Sequence, residues 1–299
     1  MAASQDSDAG AGLEAAITIA PLGSAHLIAA RALSRQAGWP HRLEDWAFML
    51  ELSRGFAAIG PDGVVGTTLL TPLGAHCATI NMVIVDQSLR GKGVGRRLMD
   101  AALAGAGQRE IRLVSTADGR ALYEKLGFSP VEPIHQHQGE VPLGIPADAT
   151  SGAVFWAGED DVPVLSTLDS VAYGADRGSL IATLCRIGKA CLLKDGAGRT
   201  IGFAIIRAFG RGDVIGPVVA PDRAGAEALI AFLLAHHAGG FVRVDTGEMQ
   251  GLSSWLAGKG LPRTGGGIAM RRLPPGAALP ERGTAPGPTT FALVNQALG

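Results

Sequence analysis

The stretch Val83-Ile84-Val85-Asp86-Gln87-Ser88-Leu89-Arg90-Gly91-Lys92-Gly93-Val94-Gly95-Arg96-Arg97-Leu98 has the composition of an anion site. An apolar run ends, Gly91, Gly93 and Gly95 follow, and a helical pattern begins. Glycines let backbone N–H groups approach a ligand without Cβ clashes. A helix start leaves unpaired N–H donors and a partial positive charge. Together they suit a pyrophosphate, and Arg90, Lys92, Arg96 and Arg97 add charge around it. The same residues also read as a glycine-rich turn with a solvated basic face. The stretch is not a P-loop, because Gly93 lacks the G-x-x-x-x-G-K-[ST] frame. Nor is it a dinucleotide fingerprint, because Arg97 or Leu98 stands where the third glycine of G-x-G-x-x-G would fall.

The elements that must position this loop follow from periodicity. Ala78 to Val85 is apolar apart from Thr79 and Asn81, which predicts a central, buried strand. A helix is expected from about Gly93 to Gly107. Upstream, Ile17 to Ala20 alternates as a strand. Ser24 starts a helix that Gly38-Trp39-Pro40 breaks, and a second helix covers Leu43 to Leu52. Phe56 to Ile59 and Val64 to Leu70 form a hairpin around Pro61-Asp62-Gly63. Downstream come a strand at Ile111 to Ser115, a short helix from Arg120 stopped by Gly127, and a strand opening at Phe128. The stretch from Glu132 to Gly152, with Pro133, Pro142, Pro146, His135 and His137, reads as the end of a domain and a linker.

The order β-α-α-β-β-β-α-β-α-β then repeats between Ala153 and Arg272. A period near 135 residues is too long for a solenoid and indicates a duplicated domain. The expected division is a disordered N-terminus at 1–15, a first domain at 16–145, a second at 150–272, and a Pro/Gly-rich tail at 273–299. Within that tail, Phe291 to Val294 is apolar and is expected to dock. The fold class is α/β (α+β), two tandem domains, each a mixed central sheet flanked by helices.

Composition excludes several function classes. The chain has 299 residues, with 26 basic and 27 acidic side chains and a net charge of −1. That balance argues against nucleic-acid binding through a broad basic surface. Cys77, Cys185 and Cys191 have no metal or disulfide spacing, so no metal is expected. No signal peptide and no membrane-length apolar run is present, so a cytoplasmic protein with no membrane partner is expected.

Two motifs give a resemblance. Arg90-Gly91-Lys92-Gly93-Val94-Gly95 is similar to the R/Q-x-x-G-x-G/A signature of GNAT acetyltransferases, and Leu122-Tyr123-Glu124-Lys125-Leu126-Gly127-Phe128 resembles the family's L-Y-x-x-x-G-F element. Ala37 to Trp46 and Tyr173 to Arg177 resemble a bacterial subgroup with a second GNAT-like C-terminal domain.

The resemblance implies acetyl-coenzyme A as co-substrate and acyl transfer to the amine of a small molecule. Val83, Ile84 and Val85 would hold the pantetheine arm as an added strand. Arg90, Gly91, Lys92, Gly93, Val94, Gly95 and Arg96 would hold the phosphates. Thr116 stands where many relatives carry asparagine. Tyr123 would protonate the departing thiolate. Trp39, His41, Arg42, Trp46 and Asn81 are acceptor-side candidates, and Glu44, Asp45, Glu51 and His76 are candidate bases. The alternatives are a non-catalytic acyl-coenzyme A sensor and transfer from a larger donor such as an aminoacyl-tRNA. A monomer or homodimer is expected. In the second copy Glu227 is expected to repel phosphate near the helix start, and Leu256 falls where Tyr123 stands.

Overall fold

A computed structural model of the chain describes residues 17–144, 153–277 and 287–299. The N-terminus expected to be disordered (1–15), the end of the linker (145–152) and the middle of the Pro/Gly-rich stretch (278–286) lie outside the described residues. Strand β1 (Thr18–Leu22) leads to helices α1 (Leu27–Gln36) and α2 (Leu43–Glu51). Then come β2 (Arg54–Gly60), β3 (Gly63–Leu73), β4 (Cys77–Val85), α3 (Val94–Ala106), β5 (Glu110–Ser115), α4 (Ala117–Lys125) and β6 (Ser129–Glu140). The order repeats as β7 (Val154–Trp156), α5 (Val162–Tyr173), α6 (Gly178–Ile187), β8 (Lys189–Lys194), β9 (Thr200–Phe209), β10 (Gly212–Ala220), α7 (Arg223–Ala235), β11 (Phe241–Gly247), α8 (Ser253–Gly258) and β12 (Arg263–Arg272). A last strand, β13 (Thr289–Ala292), follows.

Two compact units are present: Met1–Pro72 with Ile80–Gly107, and Leu73–Thr79 with Gln108–Gly299. In the first, β1 and β2 pair antiparallel, as do β2 and β3. The core holds Leu33, Trp46, Met49, Leu69, Leu98 and Met99, all nearly or fully buried. The indole N–H of Trp46 donates to Ser34 Oγ at 3.0 Å, which satisfies a buried donor. Within β4, Met82 has φ +50°, a conformation uncommon for any residue but glycine. Its carbonyl accepts from Thr67 Oγ1 at 2.8 Å.

In the second unit the last strands of the two repeats are exchanged. β12 lies between β5 and β6, antiparallel to both. β6 in turn lies between β12 and β11, antiparallel to both. Each repeat's sheet is therefore completed by a strand of the other. The segment read as the end of a domain runs as a strand to Glu140. Pro130 and Pro133 are tolerated because they face β12 alone; pairing with β11 starts at Ile134. A residue without an N–H fits where one side of the strand is unpaired. Beyond them, His135 Nδ1 and His137 Nε2 share the Ser253 hydroxyl at 2.8 and 3.1 Å.

β10 and β11 pair in parallel only over Asp213–Ile215. Where that ladder ends, β13 pairs antiparallel with Val218–Ala220 of β10. Leu293 N donates to Asp245 O of β11 at 2.8 Å, and Thr246 Oγ1 donates to Phe291 O at 2.7 Å. The apolar C-terminal segment thus docks as a strand in the parting of β10 and β11.

Candidate active site

The loop after β4 is built for backbone donors. Asp86 starts it by accepting from Ser88 N at 2.9 Å and Ser88 Oγ at 2.6 Å. These bonds, the side-chain one foremost, hold the Asp86 carboxyl below its ordinary range. Gly91 and Gly93 have φ +77° and +80°, and nothing lies within 4 Å of a Cβ built on either. Their requirement is therefore conformational rather than one of close packing. Gly93 is the N-cap of α3 and gives it no side-chain cap. The first-turn N–H groups of α3 are thus left to a ligand or to water. Val94 is buried in the core and anchors the helix start. Arg90 and Lys92 N–H make long turn bonds of 3.4 Å.

The four cations of this stretch divide. Arg90 and Lys92 are exposed. Arg96 pairs with Asp100 at 3.1 Å on the surface. Arg97, expected to add charge around the loop, instead donates to Ile17 O at 2.8 Å. It therefore ties α3 to the residue just before β1. Of the expected arm-binding residues, Ile84 is buried, while Val83 and Val85 are half-buried. The ladder between β4 and β5 is confined to Cys77–Thr79, so Ile80 to Val85 continue beyond its end.

Thr116 and Tyr123 belong to the second unit. Thr116 Oγ1 accepts from Gly119 N at 3.3 Å and caps α4. Tyr123 is 8% exposed, and burial pushes its phenol up to about 12. Its ring meets Phe128 edge-on at 6.0 Å. Its other neighbour is Gly119, where a Cβ would stand 2.9 Å from Cε2 and 3.4 Å from the hydroxyl oxygen. Gly119 went unnoticed in the sequence; a glycine one turn before a tyrosine on a helix is the signal that could have found it.

The acceptor-side candidates of the first unit separate into core and surface. Trp46 is fully buried and is a core side chain rather than an exposed wall. Asp45 is also buried; it accepts from Arg42 N at 2.8 Å and pairs with Arg42 Nη2 at 2.7 Å. That pair closes the first turn of α2. Asn81 is buried on β4 and donates to Thr71 Oγ1 at 2.9 Å. Trp39 and His41 stay half-buried, ring edge to face at 5.7 Å. Glu44 and His76 are exposed.

Residues 51–130 and residues 165–281 each match a family model described as an acetyltransferase (GNAT) domain. The chain belongs to the GNAT acetyltransferases. It is a GNAT-type N-acetyltransferase with two such domains in tandem. It is 27% identical over 220 residues to the uncharacterized N-acetyltransferase YitH of Bacillus subtilis (strain 168), covering 71% of this chain and 76% of that one. Its fold is like that of a Pyrococcus horikoshii protein assigned as an acetyltransferase, with TM-score 0.76, 17% identity, and 95% and 96% of the two chains covered. It is also like a tandem GNAT protein from the clavulanic acid biosynthesis pathway, with TM-score 0.62, 16% identity, and 88% and 100% covered.

The second GNAT copy repeats the frame with other contents. Phe128 N donates to Tyr123 O, and Leu261 N to Leu256 O, each at 3.0 Å. Gly127 and Gly260 N–H likewise bond the carbonyl three residues back, at 3.0 and 3.1 Å. Leu256 therefore holds the position of Tyr123. At the start of α7 the carboxylate that matters is Asp222, not Glu227. Asp222 Oδ1 accepts from Gly225 N at 2.8 Å, whereas Glu227 pairs with Arg223 one turn on, at 2.6 Å. Among the described residues no group of three His, Cys, Asp or Glu side chains is arranged to hold a metal. Nor is any helix long and apolar enough to cross a membrane.

Proposed function

We propose that the chain moves an acetyl group from acetyl-coenzyme A to the amine of a small molecule, with the donor bound by the first copy. One observation carries this reading: α3 begins on Gly93, a left-handed N-cap with no side chain to occupy the helix's own donors. A pyrophosphate fits that end by charge and hydrogen bonding. Arg90, Lys92, Gly93 and Gly95 would hold it, and Val83 to Val85 would pair with the pantetheine arm.

The amine attacks the thioester carbonyl carbon, the C–S bond breaks, the nitrogen gives up a proton to solvent, and the sulfur takes one. Tyr123 is the proposed donor of that proton. A phenol near 12 stays protonated at neutral pH, so the acid is always loaded. Its anion is costly in an apolar setting, but so is a thiolate, whose ordinary pKa is about 8.5. Desolvation raises both, so burial by itself does not turn the transfer against the phenol. Residues 16–145 are proposed as the catalytic domain and 150–272 as a domain that contributes architecture and acceptor specificity without a second cofactor site.

The test is calorimetry with acetyl-coenzyme A. The wild type is expected to bind one molecule per chain. Gly93→Glu sets an anion and an unfavourable φ at the phosphate end, and is expected to weaken binding by about 100-fold or more, the loss of two charge-assisted contacts. Equal affinity in this variant removes the loop from the site.

A further inference from the structure

The hydroxyl of Ser253 stands between two imidazoles. Side chains alternate along β6, so His135 and His137 share a face, and α8 opens on Ser253 against that face. We infer that Ser253 is a base-activated nucleophile, which accepts an acyl group from a small ester or thioester and carries it as a seryl ester. All the groups concerned lie in the second compact unit, and the inference is independent of the donor loop after β4.

Hydrogen-bond accounting fixes the roles. His137 Nδ1 lies 2.8 Å from Leu261 O. A carbonyl only accepts, so Nδ1 carries a proton and, in the neutral ring, Nε2 is bare. Ser253 Oγ is 3.1 Å from that nitrogen and can bond it only by donating. That uses its one proton, so His135 Nδ1, 2.8 Å away, is the donor to Oγ. No other arrangement of these neutral groups satisfies all three contacts. A hydroxyl proton aimed at a bare imidazole nitrogen, with the ring held from behind by a backbone carbonyl, is the arrangement that activates a serine.

His135 is a positioning residue. Its N–H fixes the rotation of the hydroxyl, so that the hydroxyl proton faces His137. Burial first, then the charge of Arg263, hold the His135 imidazole below its ordinary range, against the pull of Glu248. At neutral pH the ring is therefore uncharged and keeps a single N–H, the one on Nδ1.

Exposure differs among the three. His135 and His137 are buried, whereas Ser253 is half-buried. Beside His135, β12 contributes Gly266. That glycine is exposed and has φ +146°, with Ile134 O where a Cβ would fall. Only glycine fits that backbone, so β12 sets no side chain next to His135. The base is shielded, while the nucleophile reaches the surface.

The step balances. Oγ attacks the acyl carbon as its proton passes to His137 Nε2. The bond from that carbon to the donor's oxygen or sulfur breaks, and the leaving atom takes the proton from His137. The products are a seryl ester and a free alcohol or thiol, with His137 restored.

The experiment treats the full chain with diisopropyl fluorophosphate, whose phosphorus loses fluoride to an activated serine, and maps the adduct by peptide mass spectrometry. Nitrophenolate release from 4-nitrophenyl acetate, without coenzyme A, gives a second readout. Wild type is expected to carry one diisopropylphosphoryl group per chain, on Ser253. Ser253→Ala is expected to abolish it, and Ser254→Ala, at the exposed neighbour, to leave it. His137→Gln keeps a polar atom at the place of Nε2 but cannot take a proton, and is expected to slow both reactions by about 10²-fold, the range of one general base. His135→Asn returns an N–H near the place of Nδ1 and is expected to keep the rate, while His135→Leu is expected to lower it. Melting temperatures of the variants separate slow labelling from unfolding. Should His137→Gln not fold, the wild-type adduct and the contrast between His135→Asn and His135→Leu carry the test. An unlabelled Ser253 in wild type, equal rates in wild type and a folded His137→Gln, or equal rates in the two His135 variants overturns the inference.

Discussion

The loops after β4 and β10 occupy the same place in two copies of one frame, yet present opposite ends to a ligand. The first turns through Gly91 and Gly93 and starts α3 on a residue without a side chain. The second starts α7 on Asp222, whose carboxylate takes the N–H of Gly225. Beside them, β4 continues past Thr79, while β10 carries β13 where its ladder with β11 ends. One helix turn further into each chemistry, Tyr123 has become Leu256. The frame survives these changes because the replacements pack into the core, Leu256 and Phe291 among them. An internal acceptor, an internal strand and an apolar side chain replace what a ligand would supply. Duplication has thus left one copy in which the chain completes itself.

The tail strand offers the largest effect. Phe291 is 6% exposed and belongs to the core built on β10, β11 and α7. Phe291→Ala is expected to cost about 3 kcal/mol in urea unfolding, the low end for a buried phenylalanine because a terminal strand can detach on its own. If β13 is what closes the second slot, loosening it still exposes a slot capped by Asp222. Coenzyme A stoichiometry is then expected to remain one per chain in this variant. Two per chain would mean that the tail alone separates the copies.

Tyr123→Phe tests the other difference directly. Making the first copy as unable to donate a proton as Leu256 is expected to lower kcat by about 10²-fold, near 2.7 kcal/mol, with little change in donor affinity. The pH profile gives an independent check. Burial raises the folded-state pKa above the unfolded value of 10 to about 12. The associated stability is complete below pH 10 and is lost as pH rises through 12. Any alkaline limb in kcat that belongs to Tyr123 is accordingly expected near 12, not 10. A limb at 10, or full turnover by the phenylalanine variant, would assign the proton elsewhere.

Much of this was legible in the residues. The glycines at 91 and 93, the strand before them and the duplicated element order follow from local rules: left-handed backbone, apolar runs, periodicity. Counting back four residues from Gly127 and from Gly260 sets Leu256 in the place of Tyr123. What could not be read was non-local. β6 passes through Pro130 and Pro133, which signal an ending, because its pairing with β11 begins only at Ile134. The exchange of β6 and β12 depends on which strand reaches the slot, and no residue encodes that by itself. Arg97 and Trp46 show the same limit. A cation in a basic loop suggests charge for a ligand, and a tryptophan between two helices fits a pocket wall or the core, but their partners, Ile17 O and Ser34 Oγ, lie 80 and 12 residues away. Glu227 was singled out for its charge, when the side chain of Asp222 had the right spacing for an N-cap.

That cap is the smallest effect and the sharpest comparison. Asp222 has extended backbone geometry and bonds the N–H three residues on, the arrangement that makes aspartate a strong cap. Asp222→Ala removes the acceptor and keeps the backbone possible, so unfolding is expected to lose about 1 kcal/mol. Glu227→Ala breaks only the half-exposed pair with Arg223, and is expected to cost less than that. Neither change creates the left-handed turn that Gly93 provides, so neither is expected to raise coenzyme A stoichiometry above one. If Asp222→Ala alone brought in a second coenzyme A, measured by titration, the two copies would differ by one carboxylate. The strand β13 would then be a removable neighbour of that site rather than its permanent occupant.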